Sequence, residues 1–241
     1  MHVRQDQWLS DMLGVKVFRL DWVEEPSQDF RGNQPRLAML EHILIQSPVF
    51  VYAKTSVTAH EYIHWMENAK FHLVDTNIRL GRRTLRDQES IDECKMRFAT
   101  PKDELRTVEL ARRAFRFSRF HLDPRISQPK ADTIKAEWAR NFFSGKRGDA
   151  MIVAEIKGKI VGFLLLIYDR HRGLVIDLLA VDAQHRRKGV AGSMIAFAEN
   201  RCTDFDHIFA GTQVANIAST RMYEKNGFRL ASAEYVYHYH N

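Results

Sequence analysis

Residues 185–192 read His-Arg-Arg-Lys-Gly-Val-Ala-Gly: a basic run, then three small residues within the next four positions. The run stands between LVIDLLAV (174–181), which has the character of a strand, and SMIAF (193–197), which has that of a helix. A helix start exposes backbone N–H groups that have no acceptor inside the helix, and the positive end of the helix dipole lies there. Where a strand turns tightly into a helix, those N–H groups converge on one point, and that point suits a phosphate. Gly189, Ala191 and Gly192 allow close approach to the backbone, and His185, Arg186, Arg187 and Lys188 surround the point with donors for phosphate oxygens. The segment contains neither GxxxxGK(S/T) nor GxGxxG, so it is not a Walker loop or a dinucleotide-binding turn. A basic, solvated helix start with a glycine turn is the plainer alternative.

The elements around this joint can be read outward from it. Leu174–Val181 is almost wholly apolar, which predicts a strand in the interior of a sheet. Before it, Ala150–Ile156 and Ile160–Ile167 flank Lys157-Gly158, a tight hairpin signal. Further upstream lie the strand KMRFAT, the helix of PKDELRTVELARRAF with proline in its first turn, the loop SRFHLDPRISQPK, and the helix ADTIKAEWARNFF ended by Ser144-Gly145. After the joint come a helix to about Asn200, the strand HIFAGT, and a helix from Asn216 that Gly227 stops. In the last strand, FRLASAEYVYHYH, Tyr235, Tyr237 and Tyr239 fall on one face. The order predicts an α/β (α+β) architecture, a mixed and mostly antiparallel sheet flanked by helices.

Residues 1–82 carry their own pattern and predict a smaller α/β domain: the strand VKVFRLDWV, the polar loop EEPSQDFRGNQP, a helix over Arg36–Ile45, the strand FVYAKT, a helix over Ala59–Asn68 and the strand FHLVDTNIRL. Residues 83–93 are charged and lack apolar periodicity, as in a linker, and 94–241 form the second domain. Without a gap, residues 51–73 align with 208–230, and Ala53/Ala210, Thr55/Thr212, Val57/Val214, Glu67/Glu224, Phe71/Phe228 and Leu73/Leu230 coincide. The front domain is on this reading a degenerate half-repeat, holding Ala59, Met66 and Lys70 where the second copy has Asn216, Tyr223 and Gly227.

Composition limits the function classes. The chain has 241 residues, 45% hydrophobic and 27% charged, as in ordinary globular proteins. No apolar run reaches the ~20 residues of a membrane span, and the N-terminal MHVRQDQWLSDMLG lacks the apolar core of a signal peptide. Cys94 and Cys202 are far apart, and none of the 11 histidines stands in metal-ligand spacing, so a cytoplasmic protein without a metal is expected. A net charge of +6 favours an anionic partner without saying which.

Arg186-x-x-Gly189-x-Ala191 after LLAV resembles the R/Q-x-x-G-x-G/A signature of the GCN5-related N-acetyltransferases (GNAT superfamily). MRFATPKDELRTVELA, IVAEIKGKIVGFLLL and Asn216 with Tyr223, then Glu-Lys-Asn-Gly-Phe, resemble that superfamily's first strand and helix, central hairpin and last helix and strand, so the resemblance covers about 94–241. It implies that acetyl-CoA is the cosubstrate, its pyrophosphate held by Arg186, Arg187, Lys188, Gly189, Val190, Ala191, Gly192 and Ser193. It also implies a bulge in the preceding strand that frees the N–H groups of Leu179 and Val181, with Ala180 between them, to face the thioester carbonyl and the pantetheine arm. By the same resemblance Tyr223 is the general acid, and Asn216 caps its helix and meets the pantetheine. A phenol with a reference pKa near ~10 keeps its proton at neutral pH and can give it to a thiolate. Asp177 and His121 are base candidates by type, and neither is assigned. The front domain's FHLVDTNI and the loop's SRFHLDPRI resemble the group of acetyltransferases that act on dTDP-fucosamine. That similarity implies a nucleotide-linked amino sugar as acceptor, met by Arg119, Phe120, His121 and Arg125, so that Arg119→Ala would lose turnover and keep acetyl-CoA binding.

Other readings stay open at this point: another amine as acceptor (a protein N-terminus, a polyamine or an antibiotic), a CoA-binding domain without catalysis, or a basic nucleic-acid-binding protein. The last needs positive charge spread over a face and has no use for the Arg186/Gly189/Ala191 spacing, so no nucleic-acid or membrane partner is expected. A homodimer is among the possible assemblies.

Overall fold

The computed structural model describes residues 2–21, 41–43, 45, 48–86 and 94–241. The polar stretch at 24–35, most of the helix expected over Arg36–Ile45 and residues 87–93 of the expected linker lie outside the described residues; 41–43 are helical. Contacts divide the chain into two compact units, Met1–Asn77 with Ala233–Asn241, and Ile78–Ser232. The sequence pattern groups the whole last strand with residues 94–241, whereas the contacts group Ala233–Asn241 with the first unit. Among the described residues no helix is long and apolar enough to cross a membrane.

In the first unit, β1 (His2–Gln5) pairs antiparallel with β2 (Lys16–Asp21), and α1 (Gln7–Leu13) joins them. β2 runs parallel to β3 (Val49–Ser56), which pairs on its other side with residues 234–240 of the last strand. α2 (His60–Asn68) follows β3 and leads into β4 (His72–Arg83). The core is Leu20, Val49, Val51, Ala53, Met66, Phe71 and Tyr237, with Tyr235 and Tyr239 packed against it. The three tyrosines thus share a face, as strand periodicity requires.

The second unit carries the acetyltransferase-like order. β5 (Lys95–Phe98) is followed by α3 (Glu104–Ala114), the single-turn α4 (Arg119–Leu122), α5 (Gln128–Phe143), then β6 (Ala150–Ile156), β7 (Lys159–Tyr168) and β8 (Gly173–Val181). After them come α6 (Val190–Arg201), β9 (His207–Gln213), α7 (Ile217–Lys225) and the start of β10 (Arg229–His240), whose residues from Ala233 on belong to the first unit. The strands lie in the order β4, β9, β8, β7, β6, β5. Lys157 and Gly158 make the β6–β7 turn with φ of 49° and 75°, the left-handed pair that a tight hairpin needs. Met151, Val153, Phe163, Leu165, Leu178 and Ala180 bury one face under Leu110 and Ala111 of α3 and Ala139 of α5. α6 covers the other face, with Met194 beside Gly162 and Phe197 edge-on to Phe98.

Two irregularities open the sheet. β8 runs parallel to β9 only from Gly173/His207 to Ile176/Ala210. Leu165 faces Leu178 on β8, while Leu166 faces Ile176, so Asp177 is an extra residue on β8, a β-bulge. Beyond it the edge of β8 that faced β9 has no strand partner among the described residues, and a cleft of about 1110 Å³ begins there.

Candidate active site

Asp177–Val181 of β8 form one wall of that cleft, and the start of α6 forms its end. The N–H of Asp182 donates to Val161 O on β7 (2.7 Å), so strand alternation turns the N–H groups of Leu179 and Val181 away from β7, towards the cleft. The carbonyl of Val181 points the same way and accepts from Arg186 Nε at 3.1 Å. Asp182 anchors the turn: it accepts from Gln184 N at 3.1 Å and from Arg106 Nη2 at 2.7 Å. The Gln184 N–H, and behind it Arg106, hold its carboxyl below the usual carboxylate range.

The turn into α6 is left-handed at Arg187 (φ 63°) and at Gly189 (φ 82°). The first helical bond is Ser193 N to Gly189 O, 3.0 Å, which leaves the N–H groups of Val190, Ala191 and Gly192 without a carbonyl inside the helix. A Cβ on Gly192 would lie 2.7 Å from Asn226 Oδ1, so a larger residue here would push the Asn226 side chain aside. Such a cluster of free N–H groups at a helix start, rimmed by Arg186 and Arg187, fits a pyrophosphate. Ala180, Val190, Ala191, Gly192, Ser193 and Gly189 all line the cleft with Leu179 and Val181; Lys188 is exposed and does not.

α7 supplies the opposite wall. Asn216 caps it, its side chain accepting from Ser219 N at 3.2 Å. Two turns on, Tyr223 is 4% exposed, packs on Phe228 at 5.3 Å and lines the cleft. Its hydroxyl has no hydrogen-bond partner among the described residues. Burial pushes the phenol above its ordinary range, so it stays protonated well past neutral pH.

Asp177 is held rather than free: Arg147 grips both its oxygens at 2.6 Å, and Trp138 Nε1 donates at 3.0 Å. The four residues read as the acceptor side do not line the cleft. Arg119 lies over the Phe120 ring at 4.3 Å, Phe120 and His121 are buried within α4, and Arg125 is exposed beyond it. Their place on the cleft is taken by Phe115, Arg116, Phe117 and Ser118 of the preceding loop and by Lys135 of α5. Sequence reasoning missed Lys135, whose ammonium sits 4.2 Å from the Trp138 ring, because it looks like one more polar position on an amphipathic helix. It also missed a pair at the far end, Glu199 of α6 and Arg82 of β4. Two parallel bonds of 2.7 Å join them, and Leu85 N adds a third donor at 2.9 Å. No local pattern links residues so distant in the chain.

The acetyltransferase (GNAT) family model matches residues 107–228, about half of the chain, a span that includes β8, the turn into α6 and α7. The chain belongs to the GNAT acetyltransferase family. Its acetyl donor is therefore acetyl-CoA, whose pyrophosphate the N–H groups at the α6 turn suit. Over 140 residues the chain is 34% identical to the spore coat polysaccharide biosynthesis protein SpsD of Bacillus subtilis (strain 168), a match covering 57% of this chain and 48% of SpsD. The match thus spans about half the length of that relative. The fold is similar to that of a GCN5-related N-acetyltransferase from Kribbella flavida (TM-score 0.63, 11% identity, 93% of this chain and 81% of that one). It is equally similar to a tandem GNAT protein from the clavulanic acid biosynthesis pathway (TM-score 0.63, 11% identity, 93% and 75% covered).

Proposed function

We propose that this GNAT enzyme transfers acetyl from acetyl-CoA to a primary amine of a nucleotide-linked amino sugar, of the dTDP-4-amino-deoxysugar type, by direct attack with Tyr223 as general acid. The observation that carries the mechanism is a buried, protonated phenol, without a hydrogen-bond partner among the described residues, on the same cleft as the α6 turn. Acetyl-CoA supplies a thioester whose carbonyl an amine can attack, with a thiolate leaving. The α6 N–H groups and Arg186 hold the diphosphate, and Leu179 and Val181 direct N–H groups at the carbonyl oxygen, where charge develops. Tyr223 donates its proton to the thiolate. Similarity to SpsD, a spore coat polysaccharide biosynthesis protein, supports the sugar, and so do Arg116 and Lys135, two cations on the cleft suited to an anionic acceptor.

Two measurements test the reading. Millimolar acetyl-CoA should raise the unfolding temperature, because a ligand bound only by the folded state stabilises it. Free-thiol release should then depend on a dTDP-4-amino-deoxysugar and exceed that with a polyamine or an N-terminal peptide. Release that is faster with either of the latter refutes the sugar assignment, and absence of a thermal shift refutes donor binding.

A further inference from the structure

The direct-attack reading needs a group that takes a proton from the acceptor ammonium, and Asp177, locked between Arg147 and Trp138, is badly placed to do so. A different set of residues stands at the acceptor end. Ser118, 6% exposed, lines the cleft just before α4. Its Oγ lies 2.6 Å from His121 Nδ1, and His121 Nε2 lies 3.0 Å from Asp132 Oδ1 on α5. The His121 side chain is wholly buried. Further support comes from the backbone: His121 N donates to Ser118 O at 2.8 Å, and Gln128 Nε2 to His121 O at 3.0 Å. A carboxylate can only accept, so Asp132 fixes the proton of the neutral imidazole on Nε2. Nδ1 is then an acceptor and Ser118 must be the donor. We propose that Ser118, His121 and Asp132 form a proton relay that deprotonates the acceptor amine, with Ser118 touching the substrate and His121 taking the proton behind it.

The proposal rests on the acetyl-transfer reading. In the relay, the ammonium gives a proton to Ser118 Oγ as the Ser118 hydroxyl proton passes to His121 Nδ1, and Asp132 faces the imidazolium that results. The amine lone pair forms the C–N bond while the C–S bond breaks. The nitrogen sheds two protons on going from ammonium to amide: one leaves through Ser118 and His121 to solvent, the other replaces the proton that Tyr223 gives the thiolate. The ionisable neighbours of His121 are Asp132 and Lys135 on α5 and Arg116 in the loop before α4. Burial outweighs the Asp132 contact and holds the ring below its usual value, so it is neutral and ready to accept at pH 7.

The test compares wild type, Ser118→Ala and His121→Gln for kcat/KM on a dTDP-4-amino-4,6-dideoxyhexose between pH 6 and 9, with acetyl-CoA binding measured by calorimetry. Wild type should be flat above neutrality. Both variants should lose on the order of 100-fold at pH 7 with unchanged acetyl-CoA affinity. Their deficit should shrink about tenfold per pH unit as the free amine fraction rises in solution. Variants with the wild-type rate and profile overturn the relay, and so does an acetylated Ser118 found by mass spectrometry, which would make it a nucleophile. A wild type that binds acetyl-CoA yet turns over no amine refutes the acetyl-transfer reading instead. Imidazole nitrogen NMR then still decides the relay: a charged His121 at pH 7, or a proton on Nδ1, overturns it, and a neutral ring protonated on Nε2 supports it.

Discussion

The strand-helix-strand segments β3-α2-β4 and β9-α7-β10 share a helix length and the dihedrals and bonds that start and close the helix, and they differ in what they can do. α2 (His60–Asn68) and α7 (Ile217–Lys225) have the same length and occupy the same aligned positions, as do β4 (His72–Arg83) and β10 (Arg229–His240). Their N-caps have matching dihedrals, φ −86° and ψ 65° at Ala59 against −86° and 67° at Asn216. Their C-terminal closures match too: Lys70 N to Glu67 O and Phe71 N to Met66 O in one, Gly227 N to Glu224 O and Phe228 N to Tyr223 O in the other. Each closes on a left-handed residue, Lys70 at φ 62° and Gly227 at 83°. The difference lies in side chains. Where Tyr223 brings a phenol to the cleft, Met66 is fully buried among Leu20, Val51 and Tyr237, and where Asn216 caps, Ala59 cannot. One backbone frame thus serves as plain packing in one place and as a candidate active-site wall in the other.

The sharpest way to break this contrast is at the aligned pair Tyr223/Met66. Tyr223→Phe keeps the ring on Phe228 and removes only the proton donor. It should lower kcat on the order of 100- to 1,000-fold, with acetyl-CoA affinity unchanged by calorimetry. The pH dependence follows from the sign of the shift. A general acid acts while protonated, and burial moves the loss of that proton upward, so tyrosine ionisation should not depress the rate until the pH passes the ordinary phenol value of ~10. Full activity in Tyr223→Phe would remove the chemical distinction between the copies.

Next in size is the converse substitution, Met66→Ala. The side chain is 0% exposed, and truncating a buried methionine costs about 2–5 kcal/mol of stability. Urea unfolding should show that loss while kcat and acetyl-CoA affinity of the folded enzyme stay as they are. A fall in kcat at full folding would show that Met66 also serves the reaction.

What could be read from the sequence divides along similar lines. The β6–β7 hairpin, the interior strand β8 and the glycine stop of α7 were legible because a turn residue, an apolar run or a C-terminal glycine announces each locally. The turn into α6 was legible for the same reason: small residues at fixed spacing state where a backbone must be approached. Strand pairing decides the bulge at Asp177, and the sequence could suggest one only through resemblance. Asp177 itself, which looks like a free base, gains its partners from Trp138 and Arg147, 39 and 30 residues away. The short α4 was hidden in a loop, and with it the way Ser118 and His121, three residues apart, meet over one turn. The sequence suggests Arg119, Phe120, His121 and Arg125 for the acceptor side, but a single helical turn buries Phe120 and His121, and of this loop Phe115, Arg116, Phe117 and Ser118 line the cleft.

The caps offer a smaller comparison. Asn216→Ala makes α7 like α2 at its start and should cost about 1 kcal/mol, the usual worth of a side-chain cap. The acetyl-CoA KM should rise as well if Asn216 also meets the pantetheine. Ala59→Asn, at the same φ and ψ, should recover about 0.5–1 kcal/mol for α2. Thermal unfolding of the two variants and steady-state kinetics check both. An unchanged stability in both would show that matching dihedrals do not imply a matching need for a cap.

The smallest effect is expected at the two left-handed closures. Lys70 is exposed and held at φ 62°, a conformation that costs an L-residue with a Cβ about 1–2 kcal/mol. Glycine removes that cost and adds back about 0.5–1 kcal/mol of unfolded-chain entropy. Lys70→Gly should therefore stabilise by about 0.5–1 kcal/mol, since no buried surface is lost. Gly227→Ala runs the same balance backwards. A Cβ there would meet Arg82 Cδ at 3.4 Å, an ordinary contact, so the penalty comes from φ alone and should be of similar size. Equal and opposite shifts in unfolding free energy would mean that the two closures share one backbone cost. A much larger loss at Gly227 would show that Arg82, already committed to Glu199, cannot give way, and that the cleft end of α7 is held more tightly than its counterpart.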